Sequence, residues 1–198
     1  MDVFLETPRL ILRRFTMDDL DDVFALDNDP EVMFFITGGR GTPRAELATD
    51  HLPAWLGHYE RDGGRFGFWA ADLRETGGFI GWFHLRPGEN DAPGGAELGY
   101  RLRRDAWGKG YASEGSRALV DKAFTDLGLQ RVRAQTMTVN KASRRVMEKA
   151  GLRYVKTFFA DWPDRIPGDE HGDVEYALTR QEWDRRGSTC DTPPDLEP

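Results

Sequence analysis

The stretch Ala96-Glu-Leu-Gly-Tyr-Arg-Leu-Arg-Arg-Asp-Ala-Trp-Gly-Lys-Gly-Tyr-Ala-Ser-Glu-Gly115 reads as three pieces. Residues 96–103 alternate, with Leu98, Tyr100 and Leu102 on one side and Glu97, Gly99, Arg101 and Arg103 on the other. That is the period of a strand with two unlike faces. The turn from Trp107 to Ala112 holds Gly108 and Gly110, which permit positive φ and let a ligand approach the backbone. The helix that follows presents unpaired N–H groups and the positive end of its dipole at the same point. Together these pieces form an anion site, and phosphate or pyrophosphate suits it best. Lys109 adds a point charge. Two better-known glycine loops do not fit. Gly110 and Gly115 have the Walker spacing, but Ser116 stands where lysine is required. A Rossmann fingerprint counted from Gly108 needs Gly or Ala where Ser113 stands. On the glycines alone, a tight turn that binds nothing fits equally well.

Outward from this centre, periodicity predicts a strand at 10–15, a helix at 18–27, a glycine loop at 37–43 and a second helix from 44, broken near Pro53. Strands at 66–73 and 79–85 flank the hairpin turn Glu75-Thr-Gly-Gly78. After the centre come a helix at 112–127 ended by Gly128 and a strand at 131–139. A short helix capped by Asn140 follows, with Ala142, Val146 and Ala150 inward, then strands at 152–159 and 174–179 around a loop at 160–172. The expectation is an α/β (α+β) fold: a mixed, mostly antiparallel twisted sheet of about seven strands flanked by about four helices. Residues 1–186 read as a single domain, and 187–198 as a C-terminal tail too poor in apolar residues to fold.

Composition narrows the function. The chain has 198 residues, a net charge of −7 and no basic run, which argues against nucleic acid. Its apolar runs are too short to span a bilayer, and no basic segment with an apolar stretch opens the chain. Cys190 is its one cysteine, so no intrachain disulfide forms, and a cytoplasmic location is expected. His84 and His171 have the residue type of a base, but neither has a partner at ligand spacing, so no metal is expected. A homodimer is left open.

The turn resembles the pyrophosphate loop of the GNAT superfamily of N-acetyltransferases, Arg/Gln-x-x-Gly-x-Gly/Ala, with Trp107, Gly110 and Ala112 in those positions. Trp107 departs from the usual Arg or Gln. A tryptophan is familiar there in the branch resembling ribosomal-protein N-terminal (alanine/serine) acetyltransferases. Glu6-Thr-Pro-Arg-Leu-Ile-Leu-Arg-Arg-Phe15 and Asp173-Val-Glu-Tyr-Ala-Leu-Thr-Arg-Gln-Glu-Trp183 are similar to that branch too, so the resemblance covers roughly residues 7–186.

The resemblance implies a splay between the strands at 96 and 131, acetyl-CoA as donor, and direct attack of a primary amine on the thioester. The pantetheine arm would pair with the backbone of Leu98, Gly99, Tyr100, Leu102 and Arg103, as an added strand would. The pyrophosphate would meet Trp107, Gly108, Lys109, Gly110, Tyr111, Ala112 and Ser113. Glu97 aligns with the glutamate that many relatives use as a base; an ordinary exposed glutamate is the plainer reading. Relatives read Asn-x-x-Ala-x-x-x-Tyr-x-x-x-Gly where this chain has Asn140, Ser143, Met147 and Gly151. Met147 cannot donate a proton, so the resemblance implies Ser143 at the CoA sulfur, with Asn140 as cap and cofactor contact. The acceptor cleft would be framed by residues 28–43 and 160–172, with Phe34, Phe35, Asp161 and Trp162 as contacts. Carboxylates beside aromatics suit a cationic amine: a peptide N-terminus first, an aminoglycoside or polyamine second. A GNAT-like module that binds CoA without turnover is the alternative from another class.

Overall fold

Apolar runs in the first half of the chain, bounded by turns, pair as hairpins, and the hairpins build one wide sheet buried on both faces at β3 and β4. In the computed structural model, residues 2–88, 91–160 and 165–188 are described. The strands are β1 (Val3–Glu6), β2 (Leu10–Arg14), β3 (Gly67–Leu73), β4 (Phe79–Arg86), β5 (Gly95–Leu102), β6 (Arg131–Met137), β7 (Arg153–Phe158) and β8 (Asp173–Thr179). They form an 8-stranded sheet in the order β1-β2-β3-β4-β5-β6-β8-β7. Every neighbouring pair is antiparallel except β5 and β6. The strand beyond the expected seven is β1, four residues too short to show a period.

The helices sit on opposite faces. On one face, α1 (Leu20–Asp27) and α4 (Leu52–Glu60) pack Val23, Leu26, Leu52 and Trp55 against Phe68 and Trp82 of the sheet. On the other, α5 (Tyr111–Thr125) and α6 (Lys141–Lys149) cover Leu10, Phe83, Leu85 and Leu98. Two helices went unread in the sequence: the single turn α2 (Phe34–Thr37) and the final helix α7 (Arg180–Ser188). That helix runs two residues beyond the expected boundary at 186, and the rest of the proposed tail, 189–198, lies outside the described residues.

Pro53 acts as expected. A short helix, α3 (Arg44–Glu46), passes through a wider π turn at Leu47–His51 before α4 begins with Pro53 in its first turn. The wider turn accommodates a residue that has no N–H and whose ring crowds the preceding carbonyls. In α6 the inward face differs from the expected one: Met147 and Ala150 are buried, while Ala142 is exposed. The helix begins where the sheet opens, so its first turn has no strand to cover.

Gly115 fixes how closely α5 meets the sheet. A Cβ at this position would lie 2.4 Å from Cζ of Phe83, a ring that is fully buried and cannot move aside. Gly115→Val is therefore expected to destabilise the fold by about 1–3 kcal/mol through overpacking, read as a lower denaturant midpoint at unchanged slope. Unchanged stability would mean that helix and sheet do not meet here.

Candidate active site

The parallel pairing of β5 and β6 lasts for three rungs, Gly95 with Arg131, Ala96 with Val132 and Glu97 with Arg133. Beyond Glu97 the strands part. β5 continues to pair with β4 as far as Leu102, and β6 with β8 as far as Met137. The backbone of residues 98–102 thus has no strand neighbour on its β6 side. The fork opens into a cleft of about 860 Å³.

The glycine turn closes one end of this cleft. Gly108 and Gly110 hold φ of 73° and 84°, as their sequence context suggested. No side chain caps α5, whose first residues Tyr111, Ala112 and Ser113 line the cleft. Gly108 and Trp107 line it as well, and the Trp107 indole donates to the Leu102 carbonyl at 2.8 Å. Leu98 and Leu102 bury their side chains in the core, so only their backbone is available to a ligand. Lys109 and Arg103 are placed differently. Lys109 offers its carbonyl to Arg9 at 2.9 Å, and Arg103 pairs with Asp105 at 3.3 Å beside a separate small pocket.

The opening motif clasps this turn. The Thr7 hydroxyl donates to Glu114 Oε1 at 2.7 Å, and the Arg9 N–H donates to the same oxygen at 2.9 Å. The Arg9 guanidinium binds Glu114 Oε2 at 2.6 Å and lies 4.6 Å over the Tyr111 ring. Burial works against ionisation of Glu114, yet these hydrogen bonds and the Arg9 charge hold its carboxyl below the usual range.

Glu97 stands at the last paired rung. Its Oε2 meets Arg133 at 2.8 Å, and Arg133 is held in turn by Asp91 at 2.5 Å. On β4, His84 lies directly across from Gly99 and places Nε2 3.7 Å from Glu97 Oε1, outside hydrogen-bond range but within strong attraction. Burial favours the neutral acid, but Arg133 and Arg86, joined by the His84 ring whenever it is protonated, outweigh it and hold the Glu97 carboxyl below its usual range. Burial has the opposite sign for His84 and lowers its pKa, so the ring rests neutral. Sequence reading treated His84 as a lone histidine; its partner comes from the strand register rather than from spacing along the chain.

The Asn140 side chain accepts from the Ser143 N–H at 3.1 Å and caps α6 as expected. The Ser143 hydroxyl lies 2.9 Å from the Tyr100 hydroxyl, which also reaches the Ser143 carbonyl at 3.0 Å. Burial pushes the Tyr100 phenol well above its ordinary value, so it stays protonated. Tyr100, expected to contribute backbone alone, therefore brings a hydroxyl to Ser143. Asn140, Ser143, Arg145 and Lys149 all line the cleft, and the two cations were not singled out in the sequence.

Phe35 and Ile36 of α2, with Trp82, Met137, Phe158 and Ile166, give the cleft an apolar lining. Phe34 packs edge-on against Phe35 at 5.0 Å and stands back from the lining. Asp161 and Trp162 lie outside the described residues. The acidic loops are less free than the sequence suggested. Glu31 and Asp29 pair with Arg104 at 2.5 and 3.5 Å, and Asp169 pairs with Arg165 at 2.5 Å. Asp27, buried beneath the cleft, takes Arg101 at 2.5 Å. Among the described residues no group of three or more His, Cys, Asp or Glu could hold a metal ion, and no helix is long and apolar enough to cross a membrane.

The family model for the acetyltransferase (GNAT) domain matches residues 9–153. The chain is 39% identical over 185 residues to FsC-acetyl coenzyme A-N(2)-transacetylase of Aspergillus fumigatus, covering 90% of this chain and 77% of that protein. Among solved structures it superimposes on spermidine N-acetyltransferase from Vibrio cholerae, in complex with CoA and spermine, with a TM-score of 0.72, 18% identity and coverage of 89% and 99%. A structure of aminoglycoside acetyltransferase AAC(6')-Ib with coenzyme A gives a TM-score of 0.69 at 24% identity, covering 89% and 98%. With the forked sheet, the glycine turn on a helix N-terminus and a family match over most of its length, the chain belongs to the GNAT superfamily of N-acetyltransferases.

Proposed function

We propose that this acetyl-CoA-dependent N-acetyltransferase acts on a primary amine carried by a small molecule with an apolar body. The observation behind this is the approach of the two acceptor loops. A Cβ on Gly38 would lie 3.2 Å from Ile166 Cγ2, so the turn after α2 touches the loop before β8. A protein N-terminus needs an open groove, whereas this contact narrows the acceptor side to a pocket. The relative named an N(2)-transacetylase supports the same reading, since its name specifies transfer to one numbered nitrogen.

Acetyl-CoA supplies an activated thioester, and the residues present fit it: an unpaired backbone edge at 98–102 and an uncapped helix behind a glycine turn. In this reading the backbone of Leu98, Gly99 and Tyr100 holds the pantetheine arm by strand addition. The N–H groups of Tyr111, Ala112 and Ser113 hold the pyrophosphate, with Arg145 and Lys149 as neighbouring cations. The Ser143 hydroxyl, oriented by Tyr100, hydrogen-bonds the sulfur as it leaves. Glu97 is the fixed anion that attracts the acceptor's ammonium group into the fork.

Three outcomes are expected. Gly110→Glu places a side chain and a negative charge in the phosphate site, so acetyl-CoA affinity falls at least about tenfold; equal affinity by calorimetry in a folded variant would reject the site. Arg9→Ala loosens the clasp on the turn and raises the acetyl-CoA KM several-fold while kcat stays within about twofold; a loss confined to kcat would place Arg9 in the chemistry instead. Because arginines already neutralise the loop carboxylates, the acceptor KM should change less than about threefold between low and high salt. A tenfold rise would restore charge steering by the loops.

A further inference from the structure

We propose that the proton leaving the acceptor amine passes through Glu97 to the imidazole of His84, and that His84 thereby sets the acidic limit of turnover. The inference rests on the amine-acetylation reading above and adds to it the group that holds the proton.

The first observation is a buried ring that makes no hydrogen bond. His84 is buried, and neither Nδ1 nor Nε2 has a hydrogen-bond partner. Buried polar atoms are paired in nearly all cases, and a phenylalanine would fill the same slot without leaving two nitrogens unsatisfied. The ring is also held in place. It stacks on Trp82 at 5.8 Å and 22° and meets Phe68 edge-on at 4.9 Å. Gly99 makes room for it, since a Cβ there would lie 2.5 Å from Nε2 and 2.6 Å from Cε1. The bare Gly99 on the central strand therefore serves the histidine as well as the ligand.

The second observation is the state of Glu97. With Arg133 at 2.8 Å, the Glu97 carboxylate is held ionised, below the usual carboxylate range. It can relay a proton but cannot store one. The neutral imidazole can, once the 3.7 Å gap tightens to hydrogen-bond distance or is bridged by one water, and the Glu97 carboxylate then stabilises the imidazolium. The charged groups around the ring act in both directions. Glu97 from β5 favours the imidazolium, while Arg86 on the same strand and Arg101 on β5 oppose it. Arg133 from β6 acts through Glu97, Asp27 of α1 takes up Arg101, and His58 of α4 lies behind Phe68.

The bookkeeping of the step balances. An acceptor R–NH₃⁺ loses two protons in all. One goes through Glu97 to His84 and on to solvent. The nitrogen lone pair forms the C–N bond to the acetyl carbon, the C–S bond breaks, and sulfur keeps its electron pair. The second proton follows the sulfur to give the free thiol.

The test is kcat against pH for the full chain with acetyl-CoA and a panel of primary amines led by 2-phenylethylamine, in wild type, His84→Gln, His84→Phe and Glu97→Gln. Wild-type kcat should be flat from pH 7 to 9 and fall only at a pH below the ordinary imidazole value, since burial lowers the His84 pKa. Both His84 variants should bind acetyl-CoA normally by calorimetry. They should lose about 10²–10⁴-fold in kcat at pH 7 and recover toward alkaline pH, where the amine deprotonates unaided. Glu97→Gln should move the acidic limb to lower pH, because the imidazolium loses its anion. A folded His84→Gln enzyme within threefold of wild-type kcat and with the wild-type pH profile overturns the inference. Should the variants not fold, ring NMR of a His51→Gln, His58→Gln, His171→Gln chain isolates His84: a neutral ring at pH 7 supports the proposal and a protonated one overturns it. A wild-type enzyme that acetylates no amine would instead overturn the small-amine reading.

Discussion

The Glu97–Arg133 ion pair sits on the last rung that β5 and β6 share. Up to that rung the two strands are an ordinary parallel pair; past it each keeps its other neighbour and loses this one. A sheet normally satisfies its backbone groups strand by strand, and an exposed edge in the middle of a sheet invites pairing with something else. Here the edge lies inside the protein, flanked by a helix N-terminus on one face and an apolar pocket on the other. The same pair that ends the ladder fixes a carboxylate on the wall of the cleft. Asp91 holds Arg133 from behind, so Arg133 is shared between two acids and cannot swing away with a ligand.

Much of this arrangement was legible in the chain. Alternation on β5, the two glycines and the apolar face of α5 fixed the strand, turn and helix in register with one another. Asn140 behaved as its residue type predicts at a helix start. What stayed hidden depended on residues brought together from far apart. His84 becomes meaningful only through its register against Gly99, and the connection between β4 and β5, residues 87–94, is longer than the tight hairpin turns that set register from sequence. Glu31, in the first of the loops expected to frame the acceptor, is taken up by Arg104 from 73 positions away. Tyr100 looked like one more inward apolar residue until its hydroxyl met α6. β1 and α2 were missed because four residues are too few to display either period.

Two kinds of electrostatics coexist in the cleft. At the phosphate end, the positive potential comes from backbone dipoles and from cations on α6 that are exposed to solvent. At the reacting end the charges are buried, paired and few, so small changes in protonation there carry large consequences. The neutral state of His84 and the protonated state of Tyr100 both follow from burial, which acts in opposite directions on a base and an acid. The cleft is thus divided into a wet, cationic half at the glycine turn and a dry, charge-balanced half around Glu97.

The clasp between the opening hairpin and Glu114 has a further consequence for how the protein is made. Its hydrogen bonds join residues 107 and 105 positions apart, and the fork needs β8 to draw β6 away from β5. Contacts of such long sequence separation form late, because the intervening chain must first give up its freedom. On a ribosome, the early hairpins can pair as they emerge, but the phosphate turn cannot acquire its shape until α5 has been released. The fork must wait for nearly the whole chain. An unfinished polypeptide can therefore carry a well-formed sheet edge for many seconds before it has any ligand site to fill it.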